Sequence, residues 1–382
     1  DSDPLPLDPG LRIGRLENGL TYYVRENRKP EHRAELRVAV NAGSILERND
    51  EQGFAHFVEH MAFNGTEHFE ANELISFLES IGARFGPDLN AYTSFDETVY
   101  MLEIPTDREG LLDKGMEVLS DWARGITFDP AEVEKERGVI LEEWRQGRGA
   151  QERIRTRQWP VLLAGSRYPE RFPIGRPEIL EGATADRLRE FYARWYRPDL
   201  MAVVAVGDFD ADQVEGLIRA RFGAIPRPAA PADRLVFGVP LREGLRAAPA
   251  VDPEQTVTQV GLLFKHPRAT RGTVGDYRRT LVEILFNGML NARFEEITRK
   301  PDAPFTFAAG GSGSFLRSLD AFRLSAIVPE GGAARGLEAI GTEAARARAH
   351  GFTAGELERA KARFLASLER ARSHLALGDT AA

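Results

Sequence analysis

The sequence predicts an α+β protein of two similar domains, each an antiparallel sheet with helices packed on one side. Three observations predict it. Strand-like runs separated by turn residues alternate with amphipathic helical runs. The stretch "IPRPAAPADR" (225–234), rich in proline and alanine, interrupts that alternation as a linker. Beyond it the strand-then-helix order restarts, and "LVEILFNG" (281–288) repeats "FVEHMAFNG" (57–65) with one gap, which points to a duplicated domain. The expected division is a first domain over 1–225, a linker over 226–240 and a second domain over 241–382.

The elements follow in order. "LENGLTYYVREN" and "AELRVAVNAGS" read as strands, with turns at Asn18-Gly19 and Asn41-Ala42-Gly43. Residues 51–63 have helical character and stop at Asn64-Gly65. "ANELISFLESIG" places Leu74, Phe77, Leu78 and Ile81 at helical spacing, with Gly82 as its stop. "ARFGPDLNAYTSFDETVYMLEIP" supplies two extended runs, and "REGLLDKGMEVLSDWARG" a helix. "DPAEVEKERGVILEEWRQG" starts a helix with Asp129 as N-cap and Pro130 at the first helical position. Residues 183–223 read helix, strand, helix, the strand being the apolar run Met201–Val206. In the second copy "QTVTQVGLLFKHP" is a strand, a helix begins near Asp276, and two more helices occupy about 334–350 and 354–373. The strand and helix that close the first copy have no counterpart in the second, so it reads as incomplete.

Composition narrows the function. The 382 residues exceed one typical core, and 42% hydrophobic with 28% charged residues is ordinary globular composition. A formal net charge of −8 disfavours a nucleic-acid partner. No cysteine is present, which excludes disulfides, a thiol nucleophile and any cysteine-ligated metal. No apolar run approaches the ~18 residues of a membrane span. The polar, proline-containing start "DSDPLPLDPG" reads as a mature end, and a cysteine-free chain suits an oxidising compartment; periplasmic or secreted is the expected location, with the cytoplasm as the alternative.

The chemistry concentrates in His56-Phe57-Val58-Glu59-His60. Residues four apart on a helix share a face, so His56 and His60 can bind one metal ion while Glu59 flanks them. Zinc takes imidazole nitrogen and carboxylate oxygen, and a catalytic site uses three protein ligands. A carboxylate beside such a site can accept a proton from water and pass it to a leaving amine, the role assigned to Glu59. The third ligand is sought on "VEKERGVILEEW", which offers Glu134, Glu136, Glu142 and Glu143. Glu136 and Glu143 lie two turns apart on one face, whereas Glu142 lies roughly 100° away from Glu143. Glu143 is therefore chosen as ligand and Glu136 as the group that orients the site or shares protons with it. The bland alternative is an amphipathic helix with two surface histidines and a solvated carboxylate face. His68, His266, His350 and His374 have no partner at ligand spacing and read as surface or structural.

"HFVEH" followed by "MAFNGT", then "DLNAYTSFDETVYML", "ERGVILEEW" and "FYARWYRPDLMAVVAVGDFD", together resemble the inverzincin metallopeptidases, the family of pitrilysin, insulin-degrading enzyme and the mitochondrial processing peptidase. The resemblance is strongest to the zinc-bearing N-terminal half of bacterial members. It implies His56, His60 and Glu143 as zinc ligands, Glu59 as base and Glu136 as helper, the same set that helix geometry selects. It implies a zinc metalloendopeptidase acting on peptides or unfolded polypeptides, which add as a strand to a sheet edge at "NAYTS"; Asn90, Ala91 and Thr93 are the implied substrate contacts. The interval from His60 to Glu143 is longer than is usual in the family, which extra residues near "RFGPDLNAYTS" would explain. The family's second half supplies an arginine and a tyrosine seven residues apart; here Arg299 fits the arginine but position 306 is Thr306. The resemblance thus implies a complementary C-terminal half, a second subunit or a homodimer. The competing reading is a non-catalytic, chain-binding or partner-stabilising subunit.

Overall fold

A computed structural model describes residues 1–70, 73–82, 84, 86 and 88–377, with side chains to 373. The expected start of the second helix at Ala71 and Asn72, and part of the extra stretch near "RFGPDLN" (83, 85 and 87), lie outside the described residues.

The first copy comprises β1 (Leu11–Arg15), β2 (Thr21–Glu26), β3 (Arg33–Val40), α1 (Phe54–Met61), α2 (Glu73–Ser80), β4 (Leu89–Thr93), β5 (Thr98–Pro105), α3 (Leu111–Arg124), α4 (Pro130–Gln146), α5 (Ala150–Leu162), α6 (Pro177–Leu180), α7 (Ala185–Trp195), β6 (Met201–Gly207) and α8 (Ala211–Phe222). Its six-stranded sheet has the order β1-β2-β6-β3-β5-β4. Alternate residues of β3, namely Ala34, Leu36, Val38 and Val40, are fully buried, while Glu35 and Arg37 pair on the opposite face. Helix α3 crosses β3 and β5, and α8 covers β2, so the helical layer lies on one face. One pairing departs from the antiparallel expectation: β6 runs parallel to β2, from Thr21↔Ala202 to Glu26↔Gly207. The chain between them passes through α1–α7, and such a crossover is what a parallel neighbour requires.

The second copy comprises β7 (Thr258–Pro267), α9 (Val274–Thr298), β8 (Phe307–Leu316), β9 (Leu319–Val328), α10 (Ala333–His350) and α11 (Ala354–Leu377). Its sheet is antiparallel in the order β7-β9-β8, the same arrangement as β3-β5-β4. A capping box between Thr273 and Asp276 starts α9. Residues 224–257 carry no helix or strand, and the segment lies against the first copy: Arg153 of α5 binds Asp252, and Arg234 binds Asp96.

Two of these elements carry the site. Helix α1 starts at Gly53 with φ 102°, where a Cβ would stand 2.8 Å from Leu180 Cδ2. Having no cap of its own, it receives one from the buried Glu47, whose carboxylate oxygens accept from the Gly53 and Ala55 backbone N–H groups at 3.1 and 2.9 Å. Helix α4 begins as its sequence predicts: Asp129 accepts from the N–H groups of Ala131 and Glu132, and Pro130 follows. Helices α1 and α4 pack together, with Phe57, Val58 and Ile140 all fully buried in the shared core.

Candidate metal centre and catalytic site

Packing α1 on α4 brings His56, His60 and Glu143 to one point. The two Nε2 atoms are 3.2 Å apart, and Glu143 Oε2 lies 3.7 Å from His56 Nε2 and 3.4 Å from His60 Nε2. A tetrahedral ion with bonds of 2.0–2.1 Å needs donor–donor edges of about 3.3–3.4 Å. These three side chains therefore already have the spacing that zinc demands. Glu142, one residue earlier, turns away to Arg145 at 3.2 Å.

The groups behind the donors fit a metal too. His60 Nδ1 donates to Glu136 Oε1 at 2.7 Å, which fixes the tautomer and leaves Nε2 as the free donor atom. His56 Nδ1 is buried with no hydrogen-bond partner among the described residues. Burial, then the neighbouring His60, push His56 down to about 4. Burial acts on His60 in the same direction, but hydrogen bonds to Glu136 and Glu143 outweigh it and raise that ring to about 9. The hydrogen bond with His60 lowers Glu143 against a smaller opposing effect of burial.

Glu59 lies on the same helix, buried, with Oε2 accepting from the Thr93 hydroxyl at 2.6 Å. Burial raises its carboxyl above the usual carboxylate range, and the Thr93 hydrogen bond opposes this in part. Thr93 ends β4, an edge strand of the sheet. Asn90 and Ala91 lie on the same strand, and all three line a cavity of about 780 Å³ together with the histidines, Glu59, Glu136 and Glu143. The Asn90 side chain accepts from the Ala91 N–H at 2.9 Å. Arg299 is not among the residues lining this cavity: it is exposed and pairs with Glu295.

Three features escape sequence reasoning. The bond from Thr93 to Glu59 joins residues from different elements, and no local pattern encodes it. The far wall, built from Phe95, Arg155 of α5 and Phe172–Ile174, is unforeseen because α5 has no fully buried residue and hence no helical stripe. The cap from Glu47 is six residues from Gly53, beyond the reach of the usual capping patterns. A second cluster, Glu67, His68 and Asp121, is a hydrogen-bonded corner in which Asp121 accepts from the Thr66 hydroxyl, the His68 N–H and the His68 ring.

Residues 22–159 match the family described as Insulinase (Peptidase family M16), and residues 182–364 match its Peptidase M16 inactive domain. A zinc protease PQQL-like protein of Arabidopsis thaliana is 38% identical over 367 residues, covering 96% of this chain and 36% of that protein. The probable zinc protease PqqL of Escherichia coli K12 is 35% identical over 371 residues, covering 96% of this chain and 39% of that protein. The chain thus spans well under half the length of these curated relatives. Its fold matches the crystal structure of the first half of the periplasmic protease PqqL from Escherichia coli, with a TM-score of 0.86 and 32% identity, covering 98% of this chain and 80% of that one.

Proposed function

This chain belongs to the insulinase family of peptidases, family M16, and we propose that it is the zinc-bearing half of a metalloendopeptidase that hydrolyses peptides or unfolded polypeptides. The observation that carries this reading is the convergence of His56, His60 and Glu143 at tetrahedral spacing, with a buried carboxylate on the same helix. Zinc, when bound, supplies a Lewis acid that polarises the scissile carbonyl and makes water acidic enough to ionise near neutral pH. The chain's own residues do the rest. Glu136 holds His60 in the tautomer that presents Nε2. Glu59, raised by burial, accepts the proton of the attacking water and returns it to the leaving nitrogen. Thr93 fixes one Glu59 oxygen so that the carboxylate cannot swing away from the donors. The edge strand β4 offers its free side to an extended substrate, with Asn90 and Ala91 at the contact.

The solved first half belongs to a periplasmic protease, and the relatives are zinc proteases more than twice this chain's length. A periplasmic location and a complementary half follow as part of the proposal. Among the described residues no helix is long and apolar enough to cross a membrane. The deciding experiment is Glu59→Gln with parallel metal analysis and peptide hydrolysis. The variant should retain one zinc and lose turnover by about 10²–10⁴-fold. A zinc-free variant, or one with undiminished hydrolysis, would refute the assignment of base and ligands.

A further inference from the structure

We propose that the second copy, whose motif helix carries no histidine, positions the substrate edge of the first: the β8–β9 hairpin, through Arg317, holds the β4–β5 turn and thereby the place of β4 beside Glu59. The inference rests on the reading of β4 as the substrate edge.

The hairpin tip is built into the wrong domain for a mere loop. Leu316 and Leu319, its two shoulders, are buried in the core of the first copy, apart from the small core around Leu290, Phe294 and Ile340 of the second. Phe315 meets Trp159 edge-on with ring centres 6.2 Å apart, and Trp159 stacks at 5.6 Å on Phe95, a residue of the β4–β5 turn. Between the shoulders, Arg317 spreads one guanidinium over three groups. Nη1 donates to the Asn41 side chain, just past β3, and to the Asp96 carbonyl at 3.1 Å, while Nη2 lies 3.7 Å from Glu97 Oε2. The Asp96 carboxylate is held from behind by Arg234 at 3.1 Å and by the Tyr168 hydroxyl at 3.0 Å.

The turn so clamped is short. Only Ser94–Glu97 separate Thr93, the last residue of β4, from Thr98, the first of β5. Its carbonyls at Ser94 and Phe95 accept from Ser44 and Ile45 at 3.2 and 2.8 Å. Strand β4 has a ladder on one side only, to β5, and the turn fixes the end of the strand that carries Thr93. A shift of the turn is passed directly to Thr93 and from there to Glu59. Arg317 is thus a positioning residue contributed to the site by the copy that holds no metal motif.

The test uses the zinc-loaded chain carrying Glu59→Gln, in which turnover should be lost, and fluorescein-labelled casein as the unfolded polypeptide. Binding is read by anisotropy well below the melting temperature, with zinc affinity measured alongside. Arg317→Ala should raise the casein Kd roughly tenfold, since small misplacements of a positioning element carry large penalties. Zinc affinity should stay within about twofold, because the ligands sit on α1 and α4. Arg317→Lys should recover part of the loss, and Arg335→Ala, an exposed arginine paired with Asp302, should change nothing. An unchanged casein Kd in folded Arg317→Ala overturns the inference and leaves the reading of β4 intact. A parallel loss of zinc affinity also overturns it, by showing a general loosening of the fold. If the Ala variant does not fold, Arg317→Gln, which is shorter and uncharged but keeps a polar NH2 donor at the turn, decides by the same criteria. Failure of the parent chain to bind casein would overturn the substrate-edge reading itself.

Discussion

Zinc binding should displace one proton from the ligand side chains, and the affinity should tighten steeply as pH rises. His60 has to present a neutral Nε2 to the metal. In the protein, burial favours that neutral ring, but Glu136 and Glu143 outweigh burial and hold it protonated up to about pH 9. His56, held at about 4 by burial and by His60, is already neutral in this range. Glu143, lowered by its bond to His60, is already ionised. Only His60 therefore exchanges its proton for the metal between pH 6 and 8. The competition weakens the apparent affinity by a factor of 1 + 10^(pKa − pH), roughly 1,000 at pH 6 and roughly 11 at pH 8. The Kd should thus fall roughly 90-fold across those two units, about 2.7 kcal/mol. Calorimetry in buffers of different ionisation enthalpy counts the released protons, and competition with a chelator reads the Kd. Glu136→Gln removes the hydrogen bond that most strongly keeps His60 charged, so the slope should flatten. At pH 9, where the proton no longer competes strongly, the same variant should bind zinc about 10–100-fold more weakly because the ligand has lost its carboxylate support. Release of no proton at pH 6, where a zinc-bound water would still keep its own, or a Kd independent of pH would refute the reasoning.

Glu143→Gln should weaken zinc binding strongly while Glu142→Gln leaves it nearly unchanged, since Glu142 faces Arg145; a zinc titration with the reverse ranking would move the ligand. Thr93→Val should shift the acid limb of kcat/KM to higher pH, because the hydroxyl opposes the rise that burial imposes on Glu59; a limb that stays or moves down would exclude the bond from the working site. The chain alone should hold zinc yet cleave peptides about 10²–10³-fold more slowly than with a complementary half, for want of a second oxyanion donor. Its second copy should also seek cover: Val282 is 59% exposed where its repeat counterpart Val58 is fully buried. Mass and EDTA-sensitive peptidase activity of purified 1–382 check both points, and a fully active monomer would count against them.

By itself the sequence determined whatever is written within one element. The spacing of His56 and His60, the face shared by Glu136 and Glu143, the Asp129–Pro130 start of α4 and the repeat of the motif helix in α9 are periodic or capping features. Helix geometry converts them into positions without reference to the rest of the chain. Weakly patterned elements were not legible: β1 is a five-residue edge strand, and α5 buries no residue fully. The tertiary structure alone decided which faces meet. Burying Phe57, Val58 and Ile140 in one core carries Glu143 to the histidines. Ending β4 under the motif helix sets Thr93 against Glu59, and sinking Leu316 and Leu319 into the first copy delivers Arg317 to the β4–β5 turn. The physical reason is that burial is non-directional and rewards removal of apolar area wherever it occurs. The pairing of distant elements is settled by how all their surfaces fit at once, and no stretch of sequence states that fit on its own.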